Sequence, residues 1–270
     1  MGKRRSKSKD MRAHEGLSDE GTTEVEVEVD KGGLAVYEDG PPGFMENTLL
    51  FHLVPHEVAS SLRFFVSRMQ PDDWEGEGHV LAVTSALSGE GVTTVARSLA
   101  AILANDLERS VCLVETNWWS APPREPSDVD PPILGRRGGL AEVLAGSSSI
   151  DDSLMRTSDP RLFVLTSGDL PVGRRPAAIS SGGFHDVVDS LAKDFDTVVL
   201  DVPPVLKTSE AAAITREASS TLLVVRRGVT TDQQLEAAIE ELDGSNVLGV
   251  VVNRAPGRVP KIVRRLGLAV

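Results

Sequence analysis

Short apolar runs that alternate with segments of helical periodicity constrain the fold of this chain more than any other feature of its sequence. The runs occupy residues 80–84, 111–114, 162–165, 197–200, 221–225 and 247–252. Helical patterns lie between them at 93–107, 140–144, 184–193, 210–218 and 231–242. Near-continuous Val and Leu is typical of strands covered on both faces, and alternation with helices favours right-handed crossovers between parallel strands. The sequence therefore predicts an α/β fold with a doubly wound, mostly parallel sheet flanked by helices.

The two ends of the chain differ in composition from this alternating region. Residues 1–45 are rich in charge and glycine, which predicts a disordered charged tail. Residues 46–78 contain apolar residues at helical spacing, which predicts an N-terminal amphipathic helix and a linker. We place the α/β domain at 79–255 and a basic C-terminal tail at 256–270.

Charge, cysteine content and hydropathy exclude several classes of function. A formal net charge of −12 argues against broad nucleic-acid binding, which depends on clustered Lys and Arg. The single cysteine, Cys112, lies in an apolar run and fits a reducing compartment. No stretch reaches the about 18 consecutive apolar residues that a membrane-spanning helix needs. We therefore expect a cytoplasmic protein that binds no nucleic acid.

A glycine-rich loop joins the first predicted strand to the helical pattern that follows it. It reads Ala86-Leu87-Ser88-Gly89-Glu90-Gly91-Val92-Thr93-Thr94. In a P-loop, backbone N–H groups and the helix N-terminus surround the phosphates. A lysine reaches the β- and γ-phosphates, and the next Ser or Thr binds magnesium. The order of strand, glycine loop and helix predicts a P-loop NTPase-like domain.

The predicted P-loop departs from its pattern at two positions. Val92 stands where the lysine is expected, and Ala86 stands where the first glycine is usual. A hydrogen bond to a charged group contributes about 1.5–3 kcal/mol, so the change predicts weak binding and slow turnover. Arg97 follows Thr93 by one helical turn and leans toward the helix N-terminus. It either replaces part of the lost charge or is an ordinary solvated arginine.

An acidic residue at the end of another strand completes a P-loop site by holding the magnesium shell. Asp201 ends the apolar run 197–200 and precedes Val202-Pro203-Pro204. The alternative interpretation is a turn aspartate before prolines. The order of the two motifs along the chain favours the magnesium role.

Four motifs together resemble those of the bacterial tyrosine kinases of capsule and exopolysaccharide synthesis. They are Ser88-Gly89-Glu90-Gly91 with the following Thr-Thr, Gly139-Leu140-Ala141-Glu142-Val143-Leu144-Ala145-Gly146, Asp201-Val202-Pro203-Pro204-Val205-Leu206, and Leu248-Gly249-Val250-Val251-Val252-Asn253. These kinases are deviant Walker P-loop ATPases, as are the chromosome-partitioning and septum-positioning ATPases. The resemblance extends from about residue 55 to about residue 255.

The resemblance implies that ATP and Mg²⁺ are the cofactors. Backbone amides of residues 88–94 would surround the phosphates, and Thr93 would ligate Mg²⁺. Asp201 would hold the water shell of the metal, and Asn253 would contact adenine. The five histidines show no ligand spacing, so we expect no other metal.

The family also has an Asp-x-Asp motif after an apolar run, which serves metal organisation and activation of the attacking hydroxyl. The corresponding residues here are Glu115 and Asn117, with Trp118 and Trp119 where an arginine is usual. Glu115 keeps a carboxylate, whereas the amide of Asn117 cannot act as a base. The resemblance therefore implies a degenerate catalytic site made of Asp201, Glu115 and Asn117.

Ring assembly in the family depends on a Glu-x-x-Arg-x-x-Arg helix ahead of the domain. This chain offers Glu57, Ser60 and Arg63, so two of the three positions are kept. Glu57 and Arg63 are therefore the candidates for a homo-oligomer interface. The family substrate is a tyrosine-rich C-terminal tail, whereas the single tyrosine here is Tyr37.

These observations support a nucleotide-binding pseudo-kinase that regulates capsular or exopolysaccharide biosynthesis and export. Its expected partner is a membrane polysaccharide co-polymerase, and the basic C-terminal tail suits peripheral association with the inner face of the cell membrane. An active ATP-dependent tyrosine kinase or ATPase, and a scaffold that binds no nucleotide, are the alternatives. A partitioning-type ATPase is disfavoured, because that branch relies on a second lysine early in the loop and residues 85–90 contain no lysine.

Overall fold

A computed structural model describes residues 56–68, 78–118, 138–157 and 159–254. The described strands are β1 (His79–Ser85), β2 (Val111–Glu115), β3 (Leu154–Arg156), β4 (Leu162–Leu165), β5 (Thr197–Asp201), β6 (Ser220–Arg226) and β7 (Val247–Asn253). They form one sheet in the order β3-β4-β2-β5-β1-β6-β7. Every neighbouring pair is parallel except β3 with β4. The predicted fold class and the six predicted strands are confirmed.

Helices follow the strands as the periodicity predicts. The described α-helices are α1 (His56–Arg68), α2 (Val92–Asp106), α3 (Leu140–Leu144), α4 (Ile150–Ser153), α5 (Arg175–Ser180), α6 (Gly182–Asp194), α7 (Ser209–Arg216) and α8 (Asp232–Glu241). A single turn of 3₁₀ helix, Val172–Arg174, precedes α5. The sequence did not predict β3, α4 or α5, because segments of three to six residues show no clear period. The equally short α3 was predicted from the pattern at 140–144.

Strand β5 shows why the apolar runs are nearly continuous. All five of its residues are buried. Val198 and Leu200 lie in one hydrophobic cluster, and Val199 lies in the other, because successive side chains of a strand point to opposite faces. A strand at the centre of a sheet with helices on both faces therefore has no solvent side on which polar residues would be tolerated.

The helices divide between the two faces of the sheet. Leu62 of α1 and Leu99 of α2 belong to the cluster that contains Val199. Phe184 of α6 and Leu235 of α8 belong to the opposite cluster. This division is the doubly wound arrangement, and it leaves the carboxyl ends of the parallel strands as the edge where ligands bind in such sheets.

Helix α1 is fixed to α2 by apolar packing and by one ion pair. Leu62, Phe65 and Val66 are buried against α2. Arg63 Nε donates a hydrogen bond to Asp106 Oδ2 at 2.6 Å, and this contact is the main cause of the lowered pKa of Asp106. Arg63 thus has a partner within its own chain, and its role at an oligomer interface remains a prediction, as does that of Glu57.

Several predictions fall on residues outside the described ranges. These are the tails at 1–45 and 256–270, Tyr37, the side chain of Glu57, and Trp119. No helix among the described residues is long and apolar enough to cross a membrane. Cys112 is buried, and burial raises the pKa of its thiol, as expected for an inert core cysteine.

Phe184 allows a test of the core packing between α6 and the sheet. Its side chain is fully buried, so Phe184→Ala should lower the free energy of unfolding by about 3–5 kcal/mol. Phe64→Ala is the matched control. Because Phe64 is 53% exposed, this substitution should lower the free energy of unfolding far less. Chemical denaturation of both variants measures the difference. Equal losses would contradict the assignment of Phe184 to the core.

Candidate functional site

The glycine-rich loop connects β1 to α2 at the carboxyl edge of the sheet. Gly91 caps α2 in a left-handed conformation, with φ 99° and ψ 23°. The Asn253 side chain donates from Nδ2 to the carbonyl oxygen of Glu90 at 2.8 Å, and a Cβ atom on residue 91 would collide with this amide. Glycine is required at position 91 by both its backbone angle and its closeness to Asn253.

The backbone N–H groups of the loop have few partners in the described part of the chain. None of the N–H groups of residues 88–94 donates to another described group. The first hydrogen bond of α2 runs from the N–H of Val95 to the carbonyl oxygen of Gly91 at 3.0 Å. A helix N-terminus with unpaired N–H groups and a partial positive charge is suited to bind phosphate.

Asp201 is buried beside this loop at the end of β5. Oδ1 of its carboxylate has no hydrogen-bond partner within the described residues, and the Thr93 side chain is close enough to favour the charged form of the carboxylate. Burial raises the pKa of Asp201 to about 7, against the lowering effect of the Thr93 side chain. A buried carboxylate oxygen without a donor, next to a threonine hydroxyl, fits the hard oxygen ligands that Mg²⁺ takes.

Glu115 ends β2 directly opposite Asp201 in the parallel register. Arg97 Nη2 donates to Glu115 Oε1 at 2.6 Å, and the two side chains are only 26% and 19% exposed. Arg97 is therefore not the solvated arginine that one interpretation of the sequence described. Its charge is matched by Glu115 in this structure, and the other interpretation, partial replacement of the lysine, remains a prediction.

The backbone around Thr116 holds the ends of β2 and β5 together. Both the N–H and the hydroxyl of Thr116 donate to the carbonyl oxygen of Asp201, at 3.1 and 2.8 Å. Asn117 follows at the edge of the site. Trp118 is buried, and its indole Nε1 donates to the carbonyl oxygen of Ser167 at 2.8 Å. Trp118 thus packs a loop, and Glu115 is the acidic group of this segment that approaches Asp201.

Val92 contributes no polar group to the site. It is buried in the same hydrophobic cluster as Val95 and Leu99 of α2. Val92, which is predicted to stand at the lysine position of a P-loop, therefore packs into the core, and residues 86–94 contain no basic side chain.

Asn253 approaches the loop from the end of β7. Its Nδ2 bonds to Glu90, and its Oδ1 accepts from the N–H of Arg254 at 2.8 Å. One hydrogen of the Asn253 amide is left for a ligand. Its contact with adenine stays a prediction.

Two acidic side chains with structural roles were not recognised in the sequence. Glu142 accepts from the N–H of Gly139 at 2.7 Å, which satisfies the backbone donor of the residue that caps α3. This contact is half of a capping box, because glycine has no side chain for the return bond, and the usual Ser/Thr-x-x-Glu signal is therefore absent from the sequence. Glu90 has contacts with a distant turn, and no local pattern would have predicted them.

The raised pKa of Asp201 predicts how stability depends on pH. A native pKa of about 7, against the ordinary 3.8, penalises the native state increasingly as pH rises from about 4, with the full penalty above pH 7. At about 1.4 kcal/mol per pKa unit, the penalty is at most about 4 kcal/mol. Asp201→Asn should therefore be more stable than the parent at pH 8, and the gain should shrink toward pH 4 in denaturant titrations.

Asp196→Asn provides a control of opposite sign. Hydrogen bonds from the backbone and side chain of Ser110 lower the pKa of Asp196, so this carboxylate contributes stability above its ordinary pKa. The variant should be less stable at neutral pH, and its deficit should disappear as pH falls. Identical pH profiles for the parent and Asp201→Asn would contradict the burial of an ionisable Asp201.

Comparison with known proteins identifies close relatives in sequence. No protein-family model matches the chain. Tyrosine-protein kinase YwqD of Bacillus subtilis is 31% identical over 174 residues, which are 63% of this chain and 70% of the relative. Tyrosine-protein kinase CpsD of Streptococcus pneumoniae is 30% identical over 195 residues, which are 67% of this chain and 78% of the relative.

Solved structures of tyrosine kinase domains have the same fold as this chain. The kinase domain of the Escherichia coli tyrosine kinase ETK matches with a TM-score of 0.62 at 24% identity, over 75% of this chain and 79% of that one. The BceF tyrosine kinase domain matches with a TM-score of 0.60 at 27% identity, over 73% and 78%.

The cell division ATPase MinD of Pyrococcus furiosus shares the fold. Its TM-score is 0.52 at 21% identity, over 71% of this chain and 79% of that one. Three observations point to one family. They are the sheet order, the glycine loop with Asp201 beside it, and the two tyrosine-kinase relatives of at least 30% identity. This chain therefore belongs to the bacterial tyrosine-protein kinase family.

Proposed function

We propose that this chain is a nucleotide-binding, catalytically degenerate member of its family that regulates capsular or exopolysaccharide biosynthesis and export. One observation carries the proposal. The loop keeps unpaired N–H groups at a helix N-terminus beside the buried Asp201 and Thr93, while Val92 occupies the lysine position within the core. Such a site retains the means to bind phosphate and lacks the cation that accelerates its transfer.

ATP with Mg²⁺ is the ligand that this donor set fits. The N–H groups of residues 88–94 would hold the phosphates, Thr93 and Asp201 would hold the metal, and Asn253 would contact the base. Bound Mg²⁺ supplies the positive charge that offsets the phosphate oxygens. Arg97, held by Glu115 at 2.6 Å, offsets a carboxylate that would otherwise repel them.

A calorimetric titration with ATP and Mg²⁺ tests the proposal. The parent protein should bind, Thr93→Ala should lose binding because the metal ligand is gone, and Val92→Lys should bind about tenfold or more tightly through its restored charge. Val92→Met is the matched control, because it lengthens the side chain without adding charge. Binding by the parent that is indifferent to Thr93→Ala would contradict the site. If only Val92→Lys binds, the chain is a scaffold.

An active ATP-dependent tyrosine kinase or ATPase is the second candidate, and the retained carboxylates of Asp201 and Glu115 favour it. These groups lie opposite each other in register and are suited to organise Mg²⁺ around a reacting phosphate. Phosphate transfer from radiolabelled ATP to a tyrosine-containing substrate should then fall by about 100-fold or more in Asp201→Ala. Absence of transfer in the parent, or an unchanged rate in Asp201→Ala, would reject this candidate.

The proposed partner is a membrane polysaccharide co-polymerase, and the proposed location is the cytoplasmic face of the cell membrane. The family membership supports both, and the basic residues at 256–270 would suit anionic lipid. A homo-oligomer through Glu57 and Arg63 is part of the same proposal. Arg63 would have to exchange its contact with Asp106 for one on a neighbouring subunit.

A further inference from the structure

Glu90 places a carboxylate inside the loop that the proposed function assigns to phosphate. Its side chain is only 1% exposed. A buried negative charge close to bound phosphates is unfavourable unless donors within the protein match it. Glu90 has such donors, and their positions in the fold indicate a role that the sequence did not reveal.

The two oxygens of Glu90 join separate parts of the fold. Oε2 accepts from the N–H of Leu87 at 2.7 Å, across the loop itself. Oε1 accepts from the hydroxyl of Thr230 and, at 3.4 Å, from the N–H of Arg226. One carboxylate thereby links the loop after β1 to the turn between β6 and α8, which includes residues 227–230.

The backbone of the loop is attached to the same side of the fold. The carbonyl oxygen of Glu90 accepts from Asn253 at the end of β7. Thr230 is itself held, because its Oγ1 accepts from the N–H of Arg226 at 3.0 Å. Thr231, the next residue, caps α8 through a hydrogen bond from the N–H of Gln234. The partners of Glu90 are therefore anchored in β6, β7 and the start of α8.

The contacts of Glu90 do not occupy the N–H groups that follow Leu87 in the loop. The N–H that Glu90 binds belongs to Leu87, which precedes the N–H groups of residues 88–94 that have no partner within the described residues. The carboxylate thus shapes the loop without using the donors that a phosphate would need. Residues 86–94 contain no lysine that could bind a phosphate, so contacts of this kind matter more for the shape of the loop.

We propose that Glu90 is a positioning residue that holds the phosphate loop in its ligand-binding shape by tying it to the Thr230 turn. The inference rests on the proposed function only for the identity of the ligand, since the tie exists without one. It also implies that a ligand on the loop and the β6–α8 turn influence each other, because the same carboxylate contacts both.

Hydrogen exchange of the ligand-free protein tests the tie directly. Glu90→Gln replaces one acceptor oxygen with an amide that cannot accept. Because the remaining oxygen can serve only one of the two sides, exchange of the Leu87 amide or of the Arg226 amide should rise by about tenfold or more, which corresponds to the loss of a hydrogen bond to a charged group. Glu142→Gln is the matched control, because that carboxylate bonds to the backbone of Gly139 in the same way, and its loss should leave the phosphate loop unchanged.

Thr230→Val tests the tie from its other end. It removes the hydroxyl and should raise exchange in the loop by a similar factor, whereas Thr231→Ala, which removes only the neighbouring helix cap, should not. The double variant Glu90→Gln with Thr230→Val should exchange no faster than either single variant. Unchanged exchange at both Leu87 and Arg226 in both single variants would overturn the inference. Exchange effects that add fully in the double variant would overturn it too.

Affinity for ATP with Mg²⁺ supplies the functional readout. Glu90→Gln and Thr230→Val should each weaken ATP binding by about tenfold. Their unfolding temperatures should fall no further than that of the Glu142→Gln control. Unchanged affinity together with faster loop exchange would overturn the positioning role. If the parent binds no ATP, the proposed function fails, and the exchange measurements still decide whether Glu90 ties the loop to the turn.

Discussion

The parallel pairing of β1 with β5, and of β5 with β2, is the constraint on which the site depends. This pairing sets Val83 and Glu115 beside Asp201, so the loop after β1 and two carboxylates from different strands meet at one edge of the sheet. The register is fixed because each strand is buried on both faces and a slip by one residue would exchange its two hydrophobic sets. Hydrogen bonds from Thr116 to the carbonyl oxygen of Asp201 extend the pairing beyond the strands. The acidic groups of the site are therefore placed by the core.

Three charged side chains, none of them in the glycine loop, meet at this edge. Asp201 is buried with a raised pKa, Glu115 is matched by Arg97, and Val92, at the predicted lysine position, is part of the core. Asp201 shares its buried environment with an acidic neighbour, and a bound divalent cation would relieve both burial and repulsion. The absence of Lys and Arg from residues 86–94 leaves the loop without a positively charged side chain. It need not change the shape of the loop, since neutral backbone groups and glycine determine that shape.

The sequence predicted the parts of the fold that have a strong period. Six of the strands and the long helices were predicted because buried strands are continuous in Val and Leu, and helices of eight residues or more show their period. The glycine loop and Asp201 were predicted because each is a local motif at a strand end. β3 was missed because three residues carry no period, and its antiparallel pairing with β4 depends on partners distant in sequence. The contact of Arg97 with Glu115 was not predicted either, because those residues are separated by the turn that joins α2 to β2.

By itself the sequence determined the fold class and the place of the glycine-rich loop, since local composition and spacing are sufficient for both, and the binding of phosphate by that loop stays a prediction. Only the tertiary structure decided which charges meet. It placed Arg97 on Glu115, left Asp201 Oδ1 buried without a described partner, and joined Glu90 to Thr230 across the fold. The physical reason is that electrostatic and hydrogen-bond partners are chosen by distance in space. In a parallel sheet, that distance is set by strand order and register, which no local pattern of residues records.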